Sequence, residues 1–169
     1  MKEIEVKFLE INKEQVIKRI ENLGGKKIFD GDLENIFFDF EDERLRKNNV
    51  LLRLRRIGSK SFLTVKTPIE KKEAKIKEEN ETEVGKHESM TKILNNLGLF
   101  EVNRTKKHRT SYTLDGARIE FDTLEGIPTY LEIEAPSLER LKEIVKKIGF
   151  SMNDAKNWSE NEVIKHYKT

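Results

Sequence analysis

The sequence predicts an α+β fold in which eight antiparallel strands close into a barrel and helices pack against its outside. Two observations favour this fold. About eight segments alternate apolar and polar residues, which is the period-two pattern of strands with one buried face. The polar positions in these segments are mostly ionic. The length of 169 residues suits one domain, so we expect a single domain over residues 1–169.

The elements are predicted in chain order from this alternation and from turn and cap residues. Residues 2–8 form the first strand, and a helix follows from an Asn12 cap to Leu23, where Gly24 stops it. Further strands are predicted at 33–40, 50–57, 60–67, 74–84, 104–113, 117–123 and 129–135. Further helices are predicted at 86–98, 137–147 and 153–167. The Lys-rich segment 70–79 is interpreted as part of a hairpin between strands.

Along the strands, one face is aliphatic and the other is ionic. The ionic positions are Glu3, Glu5, Lys7, Arg53, Arg55, Lys66, Arg118, Glu120, Asp122, Glu132 and Glu134. An open sheet with a solvated charged face and a closed barrel with a charged interior both give this pattern. The even number of strands and the clustering of carboxylates and Arg-x-Arg pairs favour the barrel.

An ionic barrel interior restricts the ligand. Buried charges must pair with each other and with a charged ligand, because desolvation is otherwise too costly. Carboxylates at positions i and i+2 lie side by side on one strand face and offer the oxygen ligands that suit Mg²⁺ or Mn²⁺. Arginine and lysine suit phosphate oxygens. The mixture predicts a triphosphate bridged by divalent cations.

Composition excludes several other classes of function. The chain has no Cys, which excludes disulfides, thiolate metal sites and cysteine nucleophiles. Its net charge of +2 gives no overall attraction to nucleic acid or membrane. No apolar stretch approaches the roughly 18 residues of a membrane span. We therefore expect a cytoplasmic protein with no membrane and no nucleic-acid partner.

Several motifs occur in an order that resembles a known family. They are Glu3-Ile4-Glu5-Val6-Lys7, Ile36-Phe37-Phe38-Asp39, Leu51-Leu52-Arg53-Leu54-Arg55, Leu63-Thr64-Val65-Lys66, Glu81-Thr82-Glu83, Lys107-His108-Arg109 with Tyr112, Asp122, and Leu131-Glu132-Ile133-Glu134. Together they resemble the CYTH family, or triphosphate tunnel metalloenzymes, over nearly the whole chain. That family includes class IV adenylyl cyclases, thiamine triphosphatases and inorganic triphosphatases. Phe37, Pro128 and Asn157-Trp158 depart from its pattern.

The resemblance implies roles for these side chains. Metal ligands are expected at Glu3, Glu5, Glu81, Glu83, Asp122, Glu132 and Glu134. Phosphate ligands are expected at Lys7, Arg53, Arg55, Lys66, Lys107 and Arg109, of which Lys7, Lys66 and Arg109 are expected to be catalytic. The register of residues 104–109 is open, because Arg104, Lys106 and His108 lie on the opposite parity to Lys107 and Arg109. We assign no role to His87 and His166, which are interpreted as surface residues.

The resemblance implies a Mg²⁺- or Mn²⁺-dependent enzyme that acts on a triphosphate. A cyclase converts ATP to cyclic AMP and pyrophosphate, whereas a hydrolase cleaves tripolyphosphate, a nucleoside triphosphate or thiamine triphosphate; the motifs do not separate the two. A non-catalytic nucleotide- or polyphosphate-binding module is the alternative. The oligomeric state stays open, a homodimer included.

Overall fold

The computed structural model describes the backbone of residues 2–69 and 76–168 and the side chains of residues 4–69 and 78–168. Its strands are β1 Lys2–Phe8, β2 Lys26–Phe40, β3 Leu51–Ile57, β4 Lys60–Ile69, β5 Ile76–Val84, β6 Leu99–Leu114, β7 Ala117–Leu124 and β8 Tyr130–Ala135. Its helices are α1 Lys13–Asn22, α2 Arg44–Lys47, α3 His87–Asn96, α4 Leu138–Lys147 and α5 Glu160–Lys168. The predicted α+β class, and the eight strands within these residues, are confirmed.

The chain forms two compact units. Unit 1 comprises residues 1–2 and 32–107, and unit 2 comprises residues 3–31 and 108–169. In unit 1 the neighbouring strands are β5, β4, β3, the later part of β2 and the early part of β6. In unit 2 they are the remaining parts of β2 and β6, then β7, β8 and β1. The closure of all eight strands into one barrel and the single domain stay predictions.

The apolar side of the unit 2 strands is covered by α1 and α4. Ile4, Val6 and Phe8 of β1 belong to one buried cluster with Ile20 of α1 and Ile144 of α4. Burial of each such side chain contributes about 1.5–3 kcal/mol. The Asn12 side chain accepts a hydrogen bond from the Gln15 backbone N–H at 3.0 Å, which begins α1 where the sequence predicts it.

In unit 1, α3 covers the apolar side of β2 and β3. Leu94 of α3 belongs to a buried cluster with Ile36 and Phe38 of β2 and with Leu52 and Leu54 of β3. The alternation that predicts these strands therefore also sets which side α3 covers. The ionic side chains of the same strands lie on the other side of the sheet.

Three element boundaries differ from the sequence prediction. β2 begins at Lys26 and β6 at Leu99, earlier than predicted. The early part of β2 lies beside β6, as the Asp30–His108 contact shows. Helix α2 is not signalled by any apolar period. The last helix begins at Glu160 rather than at residue 153, after a short 3-10 turn at Met152–Asp154. No helix in the described part of the chain is long and apolar enough to cross a membrane.

Candidate functional site

The ionic side of unit 2 is built by register between three neighbouring strands. Directly opposite residues of antiparallel strands place their side chains on the same side of the sheet. Glu5 lies opposite Glu134 and Lys7 lies opposite Glu132 across β1 and β8. On the other edge of β8, Glu132 lies opposite Glu120 of β7. Paired carboxylates and a lysine therefore share one side of the sheet.

Lys7 lies at the centre of this cluster. Its Nζ is 3.0 Å from Glu5 Oε1 and 2.9 Å from Glu132 Oε2, and its side chain is only 2% exposed. Burial acts to lower the pKa of Lys7, but the carboxylates of Glu132 and Glu5 outweigh it and hold this pKa above its ordinary value. Lys7 therefore stays protonated throughout the physiological range.

Arg109 and Asp122 form a buried bidentate pair. Arg109 Nε and Nη2 donate to the two Asp122 oxygens at 2.6 Å each, and Glu120 contacts the same guanidinium through Nη1. The Tyr130 hydroxyl donates to Asp122 at 3.3 Å. Burial lowers the pKa of Arg109, but Asp122 and Glu120 outweigh it and raise this pKa well above its ordinary value. The geometry fixes the direction of the guanidinium fork.

Burial also raises the pKa of Tyr130, and the neighbouring Asp122 carboxylate raises it further. Tyr130 is therefore a neutral hydrogen-bond donor to Asp122, not a base. Nothing in the sequence pattern indicates this contact, because Tyr130 is the first residue of β8 and its strand alternation predicts only a side of the sheet.

The ionic side of unit 1 is a second cluster, on β3, β4 and β5. Lys66 Nζ is 2.6 Å from Glu79, and Arg53 Nη2 is 3.7 Å from both Glu79 and Glu81. The Thr64 hydroxyl donates to Glu81 at 2.6 Å. Arg53 Nε is buried and has no hydrogen-bond acceptor within the residues that the structure describes. This guanidinium can donate to a further oxygen.

Arg55 lies in the same unit, on the same face as Arg53. Its Nε donates to the side-chain oxygen of Asn35 at 3.0 Å, and the Asn35 amide donates to Thr105 at 3.3 Å. Asn35 and Thr105 were not singled out from the sequence. Thr105 shares the parity of Lys107 on β6, and this is the signal that could have identified it. Asn35 lies opposite Arg55 through the register between β2 and β3, which the sequence does not give.

The structure settles the register of residues 104–109. Thr105, Lys107 and Arg109 are buried, whereas Arg104, Lys106 and His108 are exposed. The exposed residues pair with acids of their own units: Arg104 donates to Glu34 at 2.8 Å, and His108 lies 2.9 Å from Asp30. Lys107 and Arg109 are therefore on the buried face of β6, and the opposite-parity alternative is wrong.

The acidic positions predicted from the sequence are distributed unevenly. Glu5, Asp122, Glu132 and Glu134 lie in unit 2 and Glu81 in unit 1, each beside a cation or a site residue. Glu83 is 52% exposed and pairs with Lys60 at 3.2 Å. The side chain of Glu3 lies outside the described residues. Sequence reasoning missed Glu79, although it shares its parity with Glu81 and Glu83.

Two further interpretations change with the structure. His87 is buried, and its Nδ1 lies 3.0 Å from the Ser61 hydroxyl, so its interpretation as a surface residue is wrong. Burial, reinforced by Arg56, lowers the pKa of His87. Arg118 and Glu120 share one parity, which from the sequence allows them to be a structural pair, but each pairs elsewhere: Arg118 lies 4.0 Å from Glu134, and Glu120 contacts Arg109.

The donor chemistry of unit 2 fits a divalent cation of the magnesium type. Glu5 and Glu134 are like charges directly opposite each other, an arrangement that nearby cations stabilise, and Lys7 lies 3.0 Å from Glu5 and Arg118 4.0 Å from Glu134. Carboxylate oxygens are the ligands that Mg²⁺ and Mn²⁺ prefer. Within the described side chains, no three acidic or histidine groups are already close enough together to hold a metal ion. Glu5, Glu132 and Glu134 therefore offer the oxygen chemistry for such an ion, but not a preformed set of three ligands.

Fold and site together define an antiparallel-sheet protein whose strands carry buried carboxylates and cations suited to metal and phosphate. Comparison with known proteins narrows this class. The sequence matches the CYTH domain family over residues 1–167, and the chain belongs to that family.

Individual relatives agree with this assignment. A Methanocaldococcus jannaschii protein, provisionally named adenylate cyclase, is 30% identical over an alignment of 163 positions, and the match covers 91% of this chain and 93% of that protein. The solved structure of a Pyrococcus horikoshii protein is 27% identical with a TM-score of 0.79, and the match covers 95% of this chain and 98% of that one. A Hippeastrum protein, provisionally an adenylyl cyclase and described as having a dominant triphosphatase activity, is 18% identical with a TM-score of 0.64, and the match covers 98% of this chain and 95% of that one.

Proposed function

We propose that this protein is a Mg²⁺- or Mn²⁺-dependent enzyme that cleaves a phosphoanhydride bond of a triphosphate. The observation that carries the proposal is the shared side of the unit 2 sheet, where Lys7 and Arg109 are buried among Glu5, Glu132 and Asp122. Membership of a family whose members act on triphosphates with a divalent metal supports it. A solvent-exposed binding surface has no need for cations held this firmly.

The residues of unit 2 have separate tasks in this proposal. Glu5, Glu132 and Glu134, with Glu3 and Asp122, hold the divalent cation, which when bound supplies charge neutralisation to phosphate oxygens. Lys7 and Arg109 bind phosphate oxygens directly. Because Asp122 fixes the fork of Arg109, that guanidinium does not need to reorient when negative charge develops in the transition state.

Unit 1 carries phosphate ligands of its own in this proposal: Arg53, Arg55, Lys66 and Lys107. The buried Nε of Arg53, which has no acceptor in the described part of the chain, is the clearest of them, since a buried N–H without an acceptor is unfavourable until an oxygen binds to it. We place Glu81, which lies 3.7 Å from Arg53, beside a second cation, and we assign Glu83 to its exposed pair with Lys60 instead. Lys66 is the catalytic cation of this unit.

Two reactions fit this site. In hydrolysis, water attacks the terminal phosphorus and the bond to the bridging oxygen breaks. In cyclisation, the 3′-hydroxyl of ATP attacks the α-phosphorus and pyrophosphate leaves. Both develop negative charge on leaving phosphate oxygens, which buried cations such as Lys7 and Arg109 stabilise. The names of the Methanocaldococcus jannaschii and Hippeastrum proteins point to cyclisation and to triphosphate hydrolysis respectively.

Product analysis tests the proposal. Purified protein is incubated with tripolyphosphate, ATP or thiamine triphosphate and with Mg²⁺ or Mn²⁺, and orthophosphate, pyrophosphate and cyclic AMP are resolved. We expect metal-dependent turnover of at least one substrate, and the products identify the reaction. Absence of turnover with all three substrates and both metals, in protein shown to be folded by circular dichroism, contradicts the proposal.

Charge-removing variants test the metal ligands. Glu5→Gln and Glu134→Gln keep side-chain size but remove one negative charge from the cross-strand pair, so we expect turnover to fall by about 100-fold or more. Glu125→Gln, at an exposed turn residue, is the matched control and is expected to keep full activity. If both site variants retain activity while the thermal melts of all three proteins match the parent, the ligand assignment is wrong.

A further inference from the structure

The C-terminal segment meets the ionic side of unit 2 at one residue. Lys156 pairs with Lys7 of β1 in an isolated antiparallel bridge. The Lys7 N–H donates to the Lys156 carbonyl at 2.9 Å, and the Lys156 N–H donates to the Lys7 carbonyl at 2.8 Å. Lys156, which is 149 positions further along the chain, therefore pairs with β1 at the candidate site as a residue of a neighbouring strand would.

The bridge determines which way the Lys156 side chain leaves the backbone. When two opposite residues exchange both hydrogen bonds, their side chains lie on the same side of the ladder. The Lys7 side chain lies on the side that carries Glu5 and Glu132. Lys156 therefore projects from the sheet on the ionic side, next to Lys7.

The ammonium of Lys156 differs from that of Lys7 in its contacts. It lies 5.7 Å from the centroid of the Trp158 ring, above the ring face. It has no carboxylate within ion-pair distance among the residues that the structure describes, whereas Lys7 has two. The side chain is half-buried. A cation held only by an aromatic face can move to a stronger acceptor, and a phosphate oxygen is one.

Trp158 is well placed to hold the Lys156 ammonium before a phosphate oxygen binds it. The indole packs against a buried cluster that includes Leu124, Tyr130 and Val163, and its ring centroid lies 5.2 Å from that of His166 on α5. Tyr130 in turn donates to Asp122 of the candidate site. The indole is thus anchored to the same end of unit 2 as the site.

We propose that Lys156 is an additional phosphate-binding residue, brought to the site by the C-terminal segment, and that its ammonium leaves the Trp158 ring for a phosphate oxygen when a triphosphate binds. This inference rests on the proposed function. It assigns a role to a residue outside every motif of the sequence, in a segment that the sequence predicts to be helical.

The protein offers a direct probe, because Trp158 is its single tryptophan. Tripolyphosphate with Mg²⁺ is titrated into the parent, Lys156→Gln, Lys156→Arg and the control Lys142→Gln on the exposed face of α4. We expect a saturable change in Trp158 emission in the parent, in Lys156→Arg and in the control. We expect no comparable change in Lys156→Gln, whose neutral amide leaves the ring face without a cation at the start.

Affinity and kinetics supply the second readout. Lys156→Gln is expected to raise the KM, and the Kd for tripolyphosphate measured by calorimetry, by about tenfold with a smaller effect on kcat, since it removes one contact to a bound oxygen. Lys156→Arg is expected to restore most of the affinity. The bridge uses backbone atoms only, so the fold should survive, and a thermal melt of each variant checks this.

The outcomes separate the two proposals. If the parent neither binds nor turns over tripolyphosphate, ATP or thiamine triphosphate, the proposed function fails. If the parent binds tripolyphosphate but Lys156→Gln binds it equally tightly, and Trp158 emission does not respond in the parent, then the role of Lys156 is overturned while the proposed function stands.

Discussion

At the scale of single residues, Lys7 explains how this sheet tolerates several buried carboxylates on one side. Its ammonium lies between Glu5 and Glu132, and both carboxylates raise its pKa above the ordinary value despite burial. A raised pKa means that the stabilising contribution of Lys7 is complete below the ordinary lysine value and is lost only as the pH rises through the higher folded value. Near neutral pH the charge of Lys7 is therefore constant.

Glu79 provides a prediction at this scale. It is 13% exposed and lies 2.6 Å from Lys66, whereas Glu83 is half exposed and pairs with a surface lysine. We expect Glu79→Gln to lower kcat/KM about tenfold or more, because Lys66 loses the carboxylate that positions it. We expect Glu83→Gln to stay within about twofold, as is usual for a surface pair. Steady-state kinetics on both variants checks this.

A larger effect at Glu83 than at Glu79 would contradict this prediction. If Glu83→Gln lowers kcat/KM more than Glu79→Gln does, the acidic pair of β5 that serves the site is Glu81 with Glu83, as the motif resemblance predicts. Unfolding curves for both variants are needed beside the kinetics. Glu79 is the more buried residue, so its loss could otherwise be confused with loss of folded protein.

The residue scale also shows what the sequence could predict about the site. Alternation identified the side of the sheet for Lys7, Arg53 and Asp122 because side-chain direction repeats every two residues. It could not choose among Glu79, Glu81 and Glu83, which share one parity. That choice depends on the register between β4 and β5, where Glu79 lies opposite Lys66 and Glu81 opposite Thr64.

At the scale of elements, helix α2 depends on a residue of the preceding strand. Asp39, at the end of β2, is buried and accepts hydrogen bonds from three backbone N–H groups: Phe40 at 2.7 Å, Leu45 at 3.0 Å and Arg46 at 2.9 Å. Burial raises the pKa of Asp39, but these donors outweigh it, so the pKa lies below its ordinary value. The carboxylate acts as the cap of a four-residue helix.

We predict that Asp39→Ala lowers the free energy of unfolding by about 1–3 kcal/mol, since it leaves buried N–H groups without an acceptor. Asp39→Asn is expected to cost less, because its amide oxygen can still accept. Urea denaturation at neutral pH measures both. Asp42→Asn is the control: Asp42 is exposed and pairs with Arg44, so we expect a change within about 0.5 kcal/mol.

The pH dependence gives an independent check of the Asp39 cap. A carboxyl whose folded pKa is below its ordinary value stabilises the fold above the ordinary value and loses that effect as the pH falls through the folded one. The stability difference between the parent and Asp39→Asn should therefore be largest near pH 7 and shrink below about pH 4. A difference that is constant from pH 7 to pH 3 contradicts the cap.

Elements with a local signal were predicted well, and those set by tertiary contacts were not. Asn12 and Ser137 cap α1 and α4 at the expected positions, since capping needs only neighbouring residues. Helix α2 has no such signal, because its cap lies five residues before its first residue. The early start of β2 depends on pairing with β6, a strand about 80 residues away, as in the contact between Asp30 and Thr110.

At the scale of the whole molecule, the strand pattern predicted the class and the ionic side, but not how the charges are divided. Unit 1 carries mainly cations on that side, Arg53, Arg55, Lys66 and Lys107, with Glu79 and Glu81. Unit 2 carries mainly carboxylates with Lys7 and Arg109. Period-two alternation does not distinguish positive from negative side chains. It therefore predicts which side of the sheet is ionic, but not which unit carries the cations and which the carboxylates.

Ligand binding is expected to raise the thermal stability of the protein. A ligand that binds only the folded state at 100 times its Kd adds about 2.7 kcal/mol to the free energy of unfolding. For a chain of this length that raises Tm by roughly 5–10 °C. We predict such an increase with tripolyphosphate and Mg²⁺ together, and a much smaller one with either alone, because the carboxylates repel a polyanion until a divalent cation binds between them.

Differential scanning calorimetry measures this increase in Tm, with sulfate and Mg²⁺ as the control. An equal increase with sulfate, or a full increase with tripolyphosphate in EDTA, would show that the anion binds without the metal and contradict the joint site.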